Sequence, residues 1–459
     1  MRINVEEGRI SMSTVHKFPG GIHPQEGKGG KAVTAGLAMV KVPQPSRVTI
    51  PLQQHMGAPC KPLVEKDDVV KVGQMIGEPV GAMSAAVHAS VSGKVVGCEP
   101  CILANGTQCL SVIIDNDFQD EWAPATRVEA PESMSVQELS DMVRRMGIVG
   151  MGGATFPTAV KLNIPAGKPV DTLILNGAEC EPYLSADHRL MLEKSEAIVS
   201  GARVIQKVLG IKTVQIGIED NKPDAVQAMS KACAAYPEFS VTALKTQYPQ
   251  GGEKQLVYAL TGRKVKMGGL PLDQGVVVCN VGTCYAVHVA AYEGRPVVER
   301  VVTVGGCVKN PANYLVRIGT PVEWLLNASE GLLPETRMLI YGGPMMGMAI
   351  SRTDIPVTKG CSGIVALERT DALQEEGPCI RCGRCIQACP MQLAPASIDR
   401  FMRRDMYEAA EKLNVMNCIE CGCCAWSCPA KRNLTQSCRV CKRIITQRRR
   451  EQAAKKGAN

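Results

Sequence analysis

The sequence predicts a multidomain α/β protein, and three observations carry that expectation. The chain has 459 residues, more than one ordinary core holds, so two to four domains are expected. Between residues 170 and 262, apolar β-type runs alternate with helical runs, the rhythm of a doubly wound sheet. Eight of the 21 cysteines fall into two copies of one spacing between Cys379 and Cys428, which marks a separate C-terminal module. Hydrophobic residues at 45% and charged residues at 21% are ordinary for a globular chain and exclude wholesale disorder.

Residues 1–45 are rich in Gly, Pro and Lys and read as an N-terminal arm. Residues 46–125 hold the short β runs Val48–Ile50, Val69–Val72 and Val91–Val96, punctuated by glycines. That pattern resembles the barrel-sandwich of lipoyl and biotinyl domains. No lysine stands between Lys71 and Lys94 to carry such a group, so none is expected. Residues 126–297 form the expected α/β domain. It opens with a helix over 135–146, where Ser135 and Glu138 make a capping box and Gly147 sits at the C′ position. Strands are expected at Val170–Asn176, Val214–Ile218 and Ser240–Leu244, with helices at Asp187–Leu209, Pro223–Ala235 and Glu253–Leu260. Residues 298–367 read as a small α+β domain, 368–445 as the cysteine-rich module and 446–459 as a basic tail.

The formal net charge is +8, and seven of the last eighteen residues are basic. Such a tail suits an acidic protein or an anionic membrane surface, and a solvated terminus explains it equally well; no nucleic-acid partner is expected. Met1–Gly21 carries charges throughout and no apolar core, so no secretory signal is expected. Disulfides are then a poor account of the cysteines, and thiolate metal ligands a better one. The most apolar stretch, Gln274–Tyr292, includes Asn280, Thr283 and His288. It reads as a strand, a loop and a helix, not a membrane span.

Cys379, Cys382, Cys385 and Cys389-Pro390 fit C-x₂-C-x₂-C-x₃-C-P, and Cys418, Cys421, Cys424 and Cys428-Pro429 repeat it. This is the bacterial two-cluster ferredoxin pattern, in which the fourth cysteine of each run ligates the other cluster. One [4Fe–4S] cluster is therefore assigned to Cys379, Cys382, Cys385 and Cys428. The other is assigned to Cys418, Cys421, Cys424 and Cys389. A zinc site would need only four of these cysteines and no duplication. Cys423 breaks the register and reads as a bystander. Cys438 and Cys441, like Cys98, Cys101 and Cys109, read as free thiols by default.

Gly150-Met151-Gly152-Gly153-Ala154-Thr155-Phe156-Pro157 follows the capped helix. Glycines let backbone N–H groups approach a phosphate or a flavin ring, although a tight turn alone would also use them. Three more polar loops follow strands: Asn176–Pro182, Tyr248–Glu253 and Cys279–Thr283. Strand ends are where a doubly wound sheet binds nucleotides or flavins.

The glycine run with Lys161, the Asn176–Pro182 loop and the Tyr248–Glu253 loop resemble the FMN and NADH site in the flavoprotein subunit of respiratory complex I. The whole chain is more similar still to the RnfC family, the C component of the Rnf electron-transport complex. That likeness rests on Phe18–Pro24, Ile50–Gly57, Gly342–Gly347 and both cysteine runs with their flanks. The resemblance implies a barrel-sandwich domain, a Rossmann-like FMN-binding domain, a β-grasp domain of the soluble-ligand-binding (SLBB) type and a two-cluster ferredoxin domain. It implies non-covalent FMN, two [4Fe–4S] clusters and NAD(H) as substrate. Candidate cofactor contacts are Gly150, Gly152, Gly153, Phe156, Lys161, Asn176, Glu179, Cys180, Tyr248, Gly251, Asn280 and Thr283, with Lys161 on the FMN phosphate. Glu253 and Glu181 are the candidate catalytic residues beside the nicotinamide. Against the complex I pattern, Ala178, Cys180 and Gly252 stand where that family has Asp, Ser and Glu.

The activity implied is electron exchange between NAD(H), FMN, two clusters and a partner protein within an ion-translocating ferredoxin:NAD oxidoreductase. The expected place is peripheral, on the cytoplasmic face of the inner membrane, docked by the arm around Phe18–Pro24 and by the basic tail. Two rival readings are a soluble flavin/iron–sulfur cobalamin reductase and an electron relay without nucleotide chemistry. The Phe18–Pro24 signature and the module order speak against the first.

Overall fold

A computed structural model of the chain describes residues 16–165, 167–368 and 375–457. Alternating apolar residues build the first domain. Val48 and Ile50 on Arg47–Pro51, Val112 and Ile114 on Gln108–Asn116, and Val95 on Gly93–Ile102 all turn inward and are fully buried. These strands and Val69–Val70 form one sheet. Lys61–Pro62, Met75–Glu78 and Val87–His88 form a second, completing a barrel-sandwich. Cys101 and Cys109 face each other across two strands, yet both remain free thiols, as does Cys98.

The capped helix spans Val136–Arg145. Ser135 and Glu138 make both bonds of the capping box, and Gly147 takes φ +69° just beyond the C-cap. Leu139, Met142 and Val143 pin this helix to the core of the α/β domain. That domain is a four-stranded parallel sheet in the order Phe239–Leu244, Thr213–Glu219, Thr172–Gly177, Val276–Asn280. The helical stretch expected over 187–209 is two helices, Ala186–Glu193 and Ser195–Val208. They break at Lys194, whose φ of −136° leaves the helical region. The second helix packs so closely on Val281–His288 that a Cβ on Gly201 would overlap the Cys284 carbonyl oxygen.

The third domain is a six-stranded mixed sheet: Val40–Lys41, Ala312–Arg317, Glu299–Gly306, Gly363–Leu367, Met338–Tyr341, Met348–Ile350. Its edge strand, Val40–Lys41, comes from the N-terminal arm. The arm packs on the chain itself. Ile22 N–H donates to the Tyr248 carbonyl (2.9 Å), Tyr248 N–H donates back (2.8 Å), and Gly21 N–H donates to the Ala388 carbonyl (3.0 Å). Phe18 is buried, and Glu26 accepts from Tyr183 N–H (2.9 Å). Residues 18–26 thus strap the α/β domain to the cysteine-rich module.

In that module the duplication is visible in the backbone. Arg381 and Glu420 both take φ near +58° (58° and 57°), Gly383 and Gly422 take +77° and +82°, and Gln392 and Lys431 take +54° and +51°. The basic tail is the end of a 24-residue helix, Leu434–Gly457. Arg448 pairs with Glu408 (2.9 Å) and stacks on Tyr407, and Arg449 pairs with Glu411, so the tail is docked through at least Arg449. No helix among the described residues is long and apolar enough to cross a membrane. Replacing Ser135 with Ala removes one partner of the capping box and should cost about 1 kcal/mol. The expected readout is a lower midpoint for the first thermal transition, with the cluster absorption unchanged at 25 °C.

Candidate flavin crevice and iron–sulfur module

The parallel sheet grows outward through Thr172–Gly177, Thr213–Glu219 and Phe239–Leu244. The chain then jumps back to place Val276–Asn280 on the other side of the first strand. Open α/β sheets bind ligands at such a reversal, outside the C-terminal strand ends. Asn176 and Asn280 are direct register partners at that edge. Asn280 Oδ1 accepts from Gly282 N–H (2.8 Å) and caps the helix Val281–His288, while its Nδ2 donates to Asp187 (2.7 Å). Asn176 Nδ2 donates to the Gly251 carbonyl (2.9 Å), tying the 176–182 loop to the 248–253 loop.

The glycine run lies against this edge. Gly150 N–H donates to the Phe156 carbonyl (2.9 Å), and Thr283 Oγ1 accepts from Met151 N–H (3.0 Å), so the helix after Asn280 holds the loop. Gly152, Gly153 and Ala154 are exposed, and among the described residues their N–H groups have no partner. Gly153 takes φ +103° with open space where a Cβ would stand, a conformation that L side chains avoid. Backbone donors left free in this way suit a phosphate or a flavin edge. The residues present therefore fit FMN.

Lys161 reaches Glu253 (2.9 Å) and the Val278 carbonyl (2.9 Å). Burial works against its ammonium group, but Glu253 and Cys279 together outweigh burial and hold the pKa above the ordinary lysine value. The two residues given separate tasks in the sequence thus stand together as one ion pair.

The 176–182 loop is used differently. Both Glu179 oxygens accept backbone N–H bonds, from Asp187 (3.0 Å) and His188 (3.1 Å), capping the helix Ala186–Glu193. Cys180 accepts from Gly251 N–H (3.3 Å), and burial pushes its thiol up to about 12, so it stays neutral. Gly251 is required there, because a Cβ would overlap the Ala178 carbonyl oxygen. Glu181 accepts from Met345 N–H (3.0 Å) and Met346 N–H (2.9 Å), clamping the α/β domain to the third domain. The sequence pairs Glu181 with Glu253 beside a nicotinamide; in the structure its oxygens are occupied by this clamp.

Tyr248 is buried among Ile22, Cys180, Met345, Ala388, Cys421 and Cys423. It stands where the α/β domain meets the cysteine-rich module. Cys389, Cys418, Cys421 and Cys424 line one cavity of that module, the set expected for a single cluster. No group of three His, Cys, Asp or Glu among the described residues could hold a lone metal ion. Four thiols around a cavity suit a cuboidal cluster ligated at its corners. Of the other set, Cys385 packs with Cys428, while Cys379 and Cys382 are exposed. Leu393 N–H donates to Cys389 (3.3 Å) and Glu420 N–H to Cys418 (3.4 Å), bonds that tune a cluster's potential.

Comparison with known proteins follows this division. Residues 16–119 match the RnfC barrel sandwich hybrid domain and 143–289 the Nuo51 FMN-binding domain. Residues 301–349 match the SLBB domain and 372–429 a 4Fe-4S dicluster domain. The chain is 47% identical, over 93% of its length and 93% of the relative's, to the C component of the proton-translocating ferredoxin:NAD(+) oxidoreductase complex of Clostridium ljungdahlii. The chain belongs to the RnfC family. The Na(+)-translocating counterpart of Acetobacterium woodii is 46% identical over 94% of this chain and 98% of its own. The C component of the ion-translocating oxidoreductase complex of Rhodobacter capsulatus is 43% identical over 94% and 83%. A chain of an NAD+-reducing [NiFe]-hydrogenase aligns with TM-score 0.47 at 19% identity, covering 63% of this chain and 56% of its own. As an RnfC protein, the chain is an electron-transfer member of an oxidoreductase complex, carrying FMN and two [4Fe–4S] clusters.

The sequence did not mark several residues that shape this RnfC site. Asp187 orients Asn280. Lys222 is buried against Glu219 (2.8 Å) at the end of a central strand, and Lys31 from the arm donates to the Glu179 carbonyl. Cys423, read as a bystander, donates to the Tyr248 carbonyl (3.9 Å), and Cys438 joins the lining of the cluster cavity. None carries a spacing signal of its own: Lys31 stands in a Gly- and Lys-rich stretch and Lys222 in a polar turn.

The clamp has a pH dependence. Burial raises Glu181 to about 7, with the Met345 and Met346 N–H groups pulling the other way. A carboxyl raised on folding contributes fully below its ordinary pKa near 4.3, and that contribution is lost as pH rises through about 7. Between pH 5.5 and 8.5 the wild type should therefore lose thermal stability relative to Glu181→Gln. Parallel curves for the two proteins would show that Glu181 does not titrate there.

Proposed function

We propose that the crevice at Asn176 and Asn280 binds FMN through the N–H groups of Gly152, Gly153 and Ala154. In this reading the chain exchanges electrons between NAD(H) and its two clusters, for delivery to or from a membrane partner. The carrying observation is the free backbone of the glycine run at the switch point of the sheet. When bound, FMN takes two electrons together from a hydride and releases them singly. The chain's own residues do the positioning. Thr283 sets the glycine run, and the Asn176 bond to Gly251 holds the neighbouring loop over the crevice. In this reading Lys161 would meet the flavin phosphate and Glu253 the nicotinamide, and their ion pair holds both side chains in place. Cys379, Cys382, Cys385 and Cys428 ligate one cluster, and Cys418, Cys421, Cys424 and Cys389 the other. The relatives named for ferredoxin:NAD oxidoreductase complexes support this reading. The absence of a membrane-crossing helix among the described residues suits a peripheral place, which we assign to the cytoplasmic face.

The test is a spectrum of anaerobically purified protein before and after NADH. It should hold about eight irons and one FMN, and NADH should bleach the flavin. Gly152→Val would set a branched side chain against Asn280, where an added Cβ already lies 3.5 Å from its amide nitrogen. That variant should lose FMN and keep both clusters. Glu253→Ala should keep FMN and slow bleaching by NADH at least about tenfold, a loss of roughly 1.4 kcal/mol of transition-state stabilisation. A full flavin complement in Gly152→Val removes the crevice from the reading, and unchanged NADH kinetics in Glu253→Ala removes Glu253.

A further inference from the structure

The duplication lets one half of the cysteine-rich module serve as a control for the other. The step along the chain that carries Cys379 to Cys418 and Cys385 to Cys424 also carries Ala396 to Thr435 and Asp399 to Cys438. Each of these pairs sits on the helix that follows its run, Pro395–Met402 in the first copy and Leu434–Gly457 in the second. Positions three apart on a helix share a face. Thr435 and Cys438 accordingly both line the cavity formed by Cys389, Cys418, Cys421 and Cys424. Thr435 Oγ1 lies 3.5 Å from the Cys424 sulfur. Cys438 is buried within hydrogen-bonding reach of the Cys418 sulfur. Of the other thiols on the cavity wall, Cys423 donates to the Tyr248 carbonyl (3.9 Å).

The first copy has neither donor. Ala396 has no hydroxyl, and it packs into the apolar cluster that holds Cys385. Asp399 is buried and engaged elsewhere, accepting from Ser437 Oγ (2.6 Å), Arg403 Nε (2.8 Å) and Arg432 Nε (3.0 Å). Paired with two arginines it is a carboxylate, which only accepts. A hydroxyl or a neutral thiol has one proton to give. A donor aimed at a ligand sulfur stabilises the negative charge that reduction adds to a cluster, and burial strengthens that effect.

Resting on the ligand assignment above, we propose that Thr435 and Cys438 set the two clusters apart in reduction potential. Thr435 donates its O–H to Cys424 and Cys438 its S–H to Cys418, and together they raise the potential of the cluster held by Cys389, Cys418, Cys421 and Cys424. The cluster held by Cys379, Cys382, Cys385 and Cys428 has Ala396 and Asp399 at the same two places and receives no such help. Both residues act through ligand sulfurs and touch no substrate, so they are positioning residues. Cys438 is then neither a ligand nor an idle thiol. Reduction adds one electron, no iron–sulfur bond breaks, and both protons stay on their donors.

The experiment is a potentiometric titration of the full chain, loaded with FMN and both clusters, with dithionite as reductant and EPR as readout. Thr435→Val with Cys438→Ala should lower one cluster midpoint by at least about tenfold in the one-electron equilibrium constant, which is about 59 mV. The other midpoint should stay where it is. Thr435→Ser with Cys438→Ser keeps two O–H donors and should hold both midpoints near the wild-type values, which a loss of packing alone would not explain. Thr435→Val by itself leaves every thiol in place, so it gives an independent reading if the double variant fails to assemble; its shift should be at least about threefold in the same direction, roughly half the double variant's shift in millivolts. Unchanged midpoints in the double variant, equal shifts of both clusters, or an equally large shift in the two-serine variant overturns the proposal, as does an unchanged midpoint in Thr435→Val where only that variant assembles. Loss of one cluster from Cys438→Ala alone makes Cys438 a ligand and overturns its donor role. A wild-type chain that lacks two [4Fe–4S] signals would instead remove the ligand assignment itself.

Discussion

The paired backbone bonds between Ile22 and Tyr248 set the geometry on which the rest depends. They fix a strap from the N-terminal arm across the loop that closes the crevice, and the next bond of the strap, Gly21 to Ala388, reaches the cysteine-rich module. Electron transfer needs its centres held at fixed separation, and three domains joined by loops alone would not supply that. Here the separation is held by main-chain bonds that desolvate together with Tyr248. Buried backbone bonds of this kind cannot be exchanged for water without leaving unsatisfied groups.

Two buried charges stand at joints between domains. Glu181 clamps the third domain through two N–H groups. Lys359, fully buried, donates to Ala86 and Gly147 (2.7 Å each) and so ties the first three domains together. Burial lowers its pKa to about 8. A buried charge is destabilising unless it is hydrogen-bonded, so each such residue specifies one arrangement of its neighbours. The crevice itself differs, because its glycine run keeps backbone donors free for a ligand.

The candidate site shows how far local reasoning reaches. The capping box at Ser135, the parallel strands and the cysteine spacing depend on neighbours within a few residues, and all were legible. So was the glycine run, since only backbone near a ligand or a tight turn needs such a sequence. Glu179 and Glu181 were not legible in this way. Both sit in a loop that resembles a cofactor contact, yet their oxygens are taken by N–H groups of Asp187, His188, Met345 and Met346. The approach of those donors is announced by no periodicity. The strap formed by the arm was not legible for the same reason: a Gly- and Pro-rich segment shows its extended backbone in sequence, but not the surface it crosses.

The sequence by itself determined most of the elements, the two cysteine runs and the glycine run, because each is encoded by spacing along a few consecutive turns of chain. The tertiary structure alone decided which run faces the flavin domain. The two runs repeat the same cysteine spacing and nearly the same backbone angles. Their difference lies in contacts made between segments far apart in the chain, from Gly20, Tyr248 and Met345 to Cys389, Cys421 and Gly422. Spacing sets what a segment can bind; packing between distant segments sets which copy is buried and which is exposed.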